Sequence, residues 1–198
     1  FSVIGKSVLV VDDVLFTALA KGANRAVKIP INQAGLGTVA SAKVLAGFFA
    51  SAAGPITPDT LVLPGSQAID DLEGELAPFL ATALNLPYVG VVCGVTPAND
   101  KATVMKEFAG GLRAEFEVTL PAVLGIQSAE KPPRYVPVAK VRAVMKSAKI
   151  ETVDVTPPDR PIQLEIERTY KPEAAGRVQM FEGAPEEVAR NKASHTGL

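Results

Sequence analysis

Over its first two-thirds the chain alternates short apolar runs with longer amphipathic ones, and this alternation restricts the fold more than any other feature of the sequence. Residues 26–31 (AVKIPI), 60–64 (TLVLP) and 88–95 (YVGVVCGV) have the length and β-branched content of strands. Between them lie helical patterns. Asp12 is placed to cap a helix through Val14, Leu15, Phe16, Ala18, Leu19 and Ala20 that Gly22 stops. Residues 38–53 (TVASAKVLAGFFASAA) form a helix dense in small residues, against which something packs closely, and a third helix spans about 75–85. Such repeated βα units predict an α/β fold with a mainly parallel sheet and flanking helices. The continuous apolar run at 88–95 is expected to be buried on both faces.

Near Pro97 the pattern changes. Residues 102–108 and 112–120 flank Gly110-Gly111, and Ala114, Phe116 and Val118 alternate with Glu115, Glu117 and Thr119, which predicts a late antiparallel hairpin. Residues 121–126 (PAVLGI) return to the core, 128–137 form a proline-rich charged loop, and 138–149 read as a basic helix. Beyond Val155 come TPPDRP, one alternating strand at 162–167 and a polar tail, the composition of an extended C-terminal arm. The domain reading is therefore 1–154 for the α/β body and 155–198 for an arm suited to subunit association. The sequence opens on residues 1–4 as the end of a strand, in the middle of a βα unit and without methionine, so an N-terminal segment is expected to be missing.

Composition excludes several function classes. A net charge of −1 gives no electrostatic basis for nucleic-acid binding, and no apolar run reaches bilayer-spanning length, so no membrane insertion is expected. The single cysteine, Cys93, sits in an apolar run and reads as a buried small side chain. The single histidine, His195, lies four residues from the end of the sequence, which leaves no Ser-His-Asp arrangement and no histidine-based metal site.

Two glycine motifs are weighed and set low. Gly5-Lys6-Ser7 resembles the close of a phosphate-binding loop, but the required earlier glycine would precede the sequence, and the VLVV that follows prefers a strand to a helix. Gly35-Leu36-Gly37 with Ala40 formally fits a dinucleotide fingerprint, and equally a loop that caps the next helix.

The loop Gly65-Ser66-Gln67 follows a parallel strand and opens onto a helix, the place where α/β sheets hold nucleotides. Gly65 permits close backbone approach, and Ala68 is small enough for a base or ribose to rest against the main chain. Asp70 or Asp71 is placed either to accept hydrogen bonds from ribose hydroxyls or to cap the next helix.

Four segments carry a family resemblance: residues 17–26 (TALAKGANRA), 61–71 (LVLPGSQAIDD), 106–111 (KEFAGG) leading to 120–123 (LPAV), and Pro133-Arg134-Tyr135 with Met145-Lys146 downstream. In order and spacing, over roughly residues 1–150, they resemble the electron-transfer flavoprotein beta subunit family. That resemblance implies an adenine-nucleotide-hydrolase-like α/β fold and an electron carrier rather than an enzyme. The implied carrier is one subunit of a heterodimer, taking electrons from flavin-dependent dehydrogenases and passing them to a downstream quinone oxidoreductase. FAD is held mainly by, or shared with, the alpha subunit, and the beta chain supplies a structural AMP site. Nucleotide-binding positions are implied at Ile4, Gly65, Gln67, Ala68, Ile69, Asp70, Asp71, Gly74 and Glu75. Partner docking is implied at Arg134, Tyr135, Val138 (where the family carries a leucine), Lys140, Arg142 and Lys146. The implied location is cytoplasmic for a bacterial chain and the mitochondrial matrix for a eukaryotic one.

Departures from the family bear on the ligand. After the aspartates come Leu72-Glu73-Gly74-Glu75-Leu76-Ala77 in place of small polar residues, and carboxylates at a helix N-terminus compete with phosphate for the same dipole. AMP, a second FAD or no nucleotide all stay open, and Ala109 stands where the signature has an acid. The alternative is a stand-alone adenine-nucleotide-binding or -hydrolysing domain of the same fold. The Gly110-Gly111 hairpin and the Pro-Pro-Arg-Tyr loop, for which such a domain has no need, argue against it.

Overall fold

The computed structural model describes residues 2–6, 11–31, 36–68, 73–156, 168, 170–171 and 183–190. Two compact units divide the chain, Phe1–Glu165 and Ile166–Leu198. In the first, strand β1 (Ser2–Lys6) leads to α1 (Val11–Ala20), β2 (Arg25–Ile29), α2 (Thr38–Ala50), β3 (Leu61–Val62) and α3 (Leu76–Leu84). The chain continues with β4 (Tyr88–Ala98), β5 (Lys101–Glu107), β6 (Arg113–Thr119), β7 (Ala122–Ile126), α4 (Val138–Ser147) and β8 (Glu151–Thr152).

Pairing is mainly parallel, as the βα pattern requires: β1 with β2, β2 with β8, β3 with β7 and β4 with β7. Among the described residues, only β4 with β5 and β5 with β6 pair antiparallel. The ladders form two separate sheets, in the orders β1-β2-β8 and β3-β7-β4-β5-β6. Helices lie on both faces. α1 packs on β1, β2 and α4, whereas α2 packs on α3, and α3 on β7 and β4.

Each sheet carries its own core. Val27, Ile29 and Ile31 pack with Val44 and Phe48 of α2. Alternation on β7 sends Ala122 and Leu124 to a strand-built cluster with Val92, Val104 and Val118, and Val123 to the opposite face against Ala77 and Ala81 of α3. Full burial of a Val, Leu or Phe side chain contributes roughly 1.5–3 kcal/mol, so these clusters hold the body together. The small-residue content of α2 has its predicted consequence: Gly47 sits where a Cβ would be 3.0 Å from Val155, and Gly54, just beyond the helix, lies under the Phe48 ring.

Turn chemistry follows the sequence closely. Helix α3 ends because Asn85 adopts a left-handed conformation (φ 53°) and donates its N–H to the carbonyls of Ala81 and Thr82. Gly110 and Gly111 both take positive φ (78° and 76°) at the hairpin, where the Phe108 N–H donates to the Leu112 carbonyl at 2.8 Å. Lys101 Nζ meets Glu117 Oε1 across that hairpin at 2.6 Å.

Three details differ from the sequence reading. Strand β4 is not buried on both faces, because Tyr88 and Val91 are exposed. Its register with β7 shifts between Val89 and Val92, where Val91 has φ 60°, so a bulge turns Val91 outward. Asp12 lies within the first turn of α1 and pairs with Lys28 Nζ of β2 at 2.9 Å. Strand β8 escaped notice because two residues carry no readable period; it pairs with Val27 and Lys28 of β2, beside Arg25, which reaches Glu151 and the Ala53 carbonyl. The strand expected at 162–167 lies outside the described residues. The second unit shows the short helix α5 (Pro185–Arg190) and Arg168 stacked over the Tyr170 ring at 5.3 Å.

Candidate functional site

The loop after β3 is built by pairing at its start and by glycine at its end. Gly65 bridges Ile126 of β7, with Ile126 N–H donating to the Pro64 carbonyl and Ser66 N–H to the Ile126 carbonyl, each at 2.9 Å. The Ser66 hydroxyl donates to the Gly125 carbonyl at 2.7 Å. Gly74 brings the chain back at φ +70°, so close over Ser66 that a Cβ there would strike the Ser66 carbonyl. Gly65, Gln67, Ala68, Glu73 and Glu75 are all exposed around this return. Ile69, Asp70 and Asp71 lie outside the described residues. Ile4, half-buried on β1, lines a cleft with Leu61, Val62, Leu63 and Pro64, whose lining stops one residue short of Gly65.

Tyr88 belongs to this locus although sequence reasoning did not select it. Its hydroxyl lies over Gly90 and Gly125, each of which would collide with it or crowd it if it carried a Cβ, and a Cβ at Gly125 would also touch Ser66 Oγ at 3.4 Å. Burial pushes the Tyr88 phenol up from its ordinary value. A Tyr-x-Gly step, which places ring and glycine on one strand face, was the available signal.

The residues suit part of an adenine nucleotide. Gly65 leaves its backbone open, the nearest atom to a Cβ there being the Gln67 carbonyl at 3.8 Å, and Ala68 is exposed beside it. A phosphate finds less. Ser66 Oγ is committed to Gly125, and exposed Glu73 and Glu75 stand at the start of α3, where their charge opposes an anion. Of the described loop residues, Gly65 and Ala68 leave room for a nucleoside, whereas Glu73 and Glu75 oppose a phosphate.

The second predicted surface faces solvent. Arg134, Tyr135, Val138, Lys140, Arg142 and Lys146 are all exposed, Tyr135 at 84% and Val138 at 65%. Arg134 turns back toward the body, its guanidinium 3.6 Å from where a Cβ on Gly22 would stand. Helix α4 starts after Pro137 and turns the half-buried Val141 and Val144 inward, in the helix that packs on α1. The 3.6-residue period then places Val138, Arg142 and Met145 on one flank and Lys140 on the other. Met145, 43% exposed, thus shares the flank of Val138 and Arg142, whereas Lys140 lies on the opposite one.

Among the described residues, no group of three or more His, Cys, Asp and Glu side chains is arranged to hold a metal ion, and no helix is long and apolar enough to cross a membrane. Cys93 is buried, its thiol directed at the Met105 carbonyl at 3.5 Å.

By architecture, this is an α/β protein with its glycine-bearing loop at the carboxyl end of a parallel strand and a separate exposed surface formed by the Arg134-Tyr135 loop and α4. Residues 3–158 match the electron transfer flavoprotein domain, and the chain belongs to that family. It is 31% identical over 192 residues to the electron transfer flavoprotein subunit beta of Methylophilus methylotrophus, covering 90% of this chain and 69% of the relative. Against the subunit beta of Syntrophomonas wolfei the identity is 32%, covering 78% of this chain and 64% of the relative. The mitochondrial subunit beta of Oryza sativa subsp. indica is 35% identical, over 77% of this chain and 58% of the relative. The chain thus spans between 58% and 69% of the length of these relatives.

Proposed function

We propose that this chain is the beta-type subunit of a heterodimeric electron-transfer flavoprotein, carrying electrons from flavin-dependent dehydrogenases toward a quinone oxidoreductase. The observation that carries the reading is the match of residues 3–158 to the family domain, together with an exposed Arg134-Tyr135 loop and α4 flank within the matched region. A tyrosine, an arginine and an apolar anchor, held by a proline-rich loop, have the chemistry of an interface hot spot. FAD supplies the electron-carrying chemistry and is held mainly by the alpha subunit. This chain contributes the docking surface and, in Gly65, Gln67, Ala68 and Gly74, part of a wall for a nucleoside. The charge of Glu73 and Glu75 makes AMP a weak ligand here.

The test is coexpression with an alpha subunit. Copurification as a yellow heterodimer that accepts electrons from a flavin dehydrogenase is the expected result. Within that heterodimer, Tyr135→Ala and Val138→Ala should each weaken transfer from the dehydrogenase while leaving subunit association intact, by roughly tenfold or more for a hot-spot residue. A monomer that hydrolyses ATP and takes up no flavoprotein partner would overturn the reading.

A further inference from the structure

On the face that carries α3, strands β4 and β7 share a strip with no side chains. Tyr88 pairs with Val123, and the next residues of the two strands on that face are Gly90 and Gly125, both buried. Bare backbone inside a sheet weakens it unless another group covers it. Tyr88 is that cover. A Cβ at Gly90 would collide with its hydroxyl, and one at Gly125 would stand 3.0 Å from it.

The covered strip also lies against the loop that follows β3. A Cβ at Gly125 would be 3.4 Å from Ser66 Oγ, so the hydroxyls of Tyr88 and Ser66 crowd the same glycine. Ser66 is the residue that seats this loop. Its N–H donates to the Ile126 carbonyl at 2.9 Å, its hydroxyl donates to the Gly125 carbonyl at 2.7 Å, and Gly74 closes over its own carbonyl.

We infer that Tyr88 is the positioning residue of this loop: its ring takes the place of the side chains missing at Gly90 and Gly125, and its hydroxyl props Ser66 so that Gly65 and Ala68 stay presented to a ligand. Burial raises the phenol above its ordinary value, so Tyr88 stays protonated and acts through volume rather than charge. Its ring also borders an open hollow with Pro78, Asn85 and Pro87, so truncation at residue 88 leaves the glycines bare instead of drawing a neighbour over them. A loop held loosely must be ordered when it binds, so the prop acts on affinity without touching the ligand. For its effect on binding the inference rests on the nucleoside reading proposed above; for its effect on Ser66 it does not.

The test is a double-mutant cycle of Tyr88→Ala and Gly125→Ala in the full chain. It is read by amide hydrogen exchange at Ser66, with Val104 of β5 as internal reference, and by adenosine binding in calorimetry. Tyr88→Ala should speed exchange at Ser66 about tenfold or more relative to Val104 and weaken adenosine binding about tenfold. Gly125→Ala should change sign between backgrounds. Beside Tyr88 its Cβ forces the hydroxyl aside and loosens Ser66, whereas without Tyr88 it rests in ordinary contact with Ser66 Oγ and restores protection. Tyr88→Phe keeps the ring and serves if the alanine variant does not fold. There Gly125→Ala should no longer loosen Ser66, because the hydroxyl its Cβ would meet is gone. Ser66 exchange unchanged by Tyr88→Ala, or a Gly125→Ala effect of one sign and size in every background, would overturn the inference. So would equal acceleration of Ser66 and Val104, the mark of a global loss of stability. If adenosine binds none of these chains, wild type included, the nucleoside reading falls, and exchange at Ser66 alone decides the role of Tyr88.

Discussion

Gly54→Ala tests whether the packing of Phe48 is as tight as the structure shows. Phe48 is 2% exposed, meets Phe49 edge-on at 5.4 Å between ring centroids, and carries Gly54 directly against its ring. A Cβ at residue 54 would overlap three ring carbons. Overpacking of this kind costs about 1–3 kcal/mol. Replacing glycine by alanine restricts the unfolded chain and returns about 0.4–1 kcal/mol, and Gly54 does not have the positive φ that would forbid it. The net expectation is destabilisation by about 0.5–2 kcal/mol. In a Phe48→Leu background the overlap is relieved, so the same change should become neutral or mildly stabilising. The coupling between the two positions then equals the overpacking term, about 1–3 kcal/mol. Urea unfolding of the four proteins of this double-mutant cycle measures it. A coupling below about 0.5 kcal/mol would refute the argument and show that the ring swings freely into the adjoining cleft.

Three further outcomes are expected. Val91 holds a left-handed backbone at φ 60° and is 38% exposed, so Val91→Gly should remove about 1–2 kcal/mol of strain against about 0.5–1 kcal/mol of added chain entropy, a small net gain visible in urea midpoints. Hydrogen bonding from Arg25 holds the Glu151 carboxyl below its ordinary value, and the same bond raises Arg25. Because the folded value is the lower one, the pair's contribution is complete above Glu151's ordinary range and is lost as pH falls through the folded value, so Glu151→Gln should show a shallower acid limb in stability against pH. If Glu73 and Glu75 repel an anion at the start of α3, the double change to glutamine should tighten AMP binding by about 1 kcal/mol per charge at ~4 Å, roughly thirtyfold in all by calorimetry; unchanged affinity would show that they do not face the ligand.

Much of the fold was legible because its signals are local. Periodicity marked α1 to α4 and the strands around them, Gly110-Gly111 marked the hairpin, and Asn85 closed α3 through a backbone geometry that asparagine tolerates. The candidate site was half legible. Gly65 and the Arg134-Tyr135 loop stand out as residue types, whereas Tyr88 becomes part of the site only because Gly90 and Gly125, on different strands, leave room for its ring. That Met145 shares the flank of Val138 and Arg142, and Lys140 does not, follows only once Val141 and Val144 define which side of α4 faces inward.

The sequence by itself determined the α/β class, the order of elements and membership of the electron transfer flavoprotein domain family, because each rests on spacing along the chain. Tertiary structure alone decided that the described strands divide into two sheets, β1-β2-β8 and β3-β7-β4-β5-β6. Strand neighbours are set by contacts between residues far apart in sequence, such as Ser2 with Arg25 and Leu61 with Ala122. No local pattern in the sequence records which strands become neighbours.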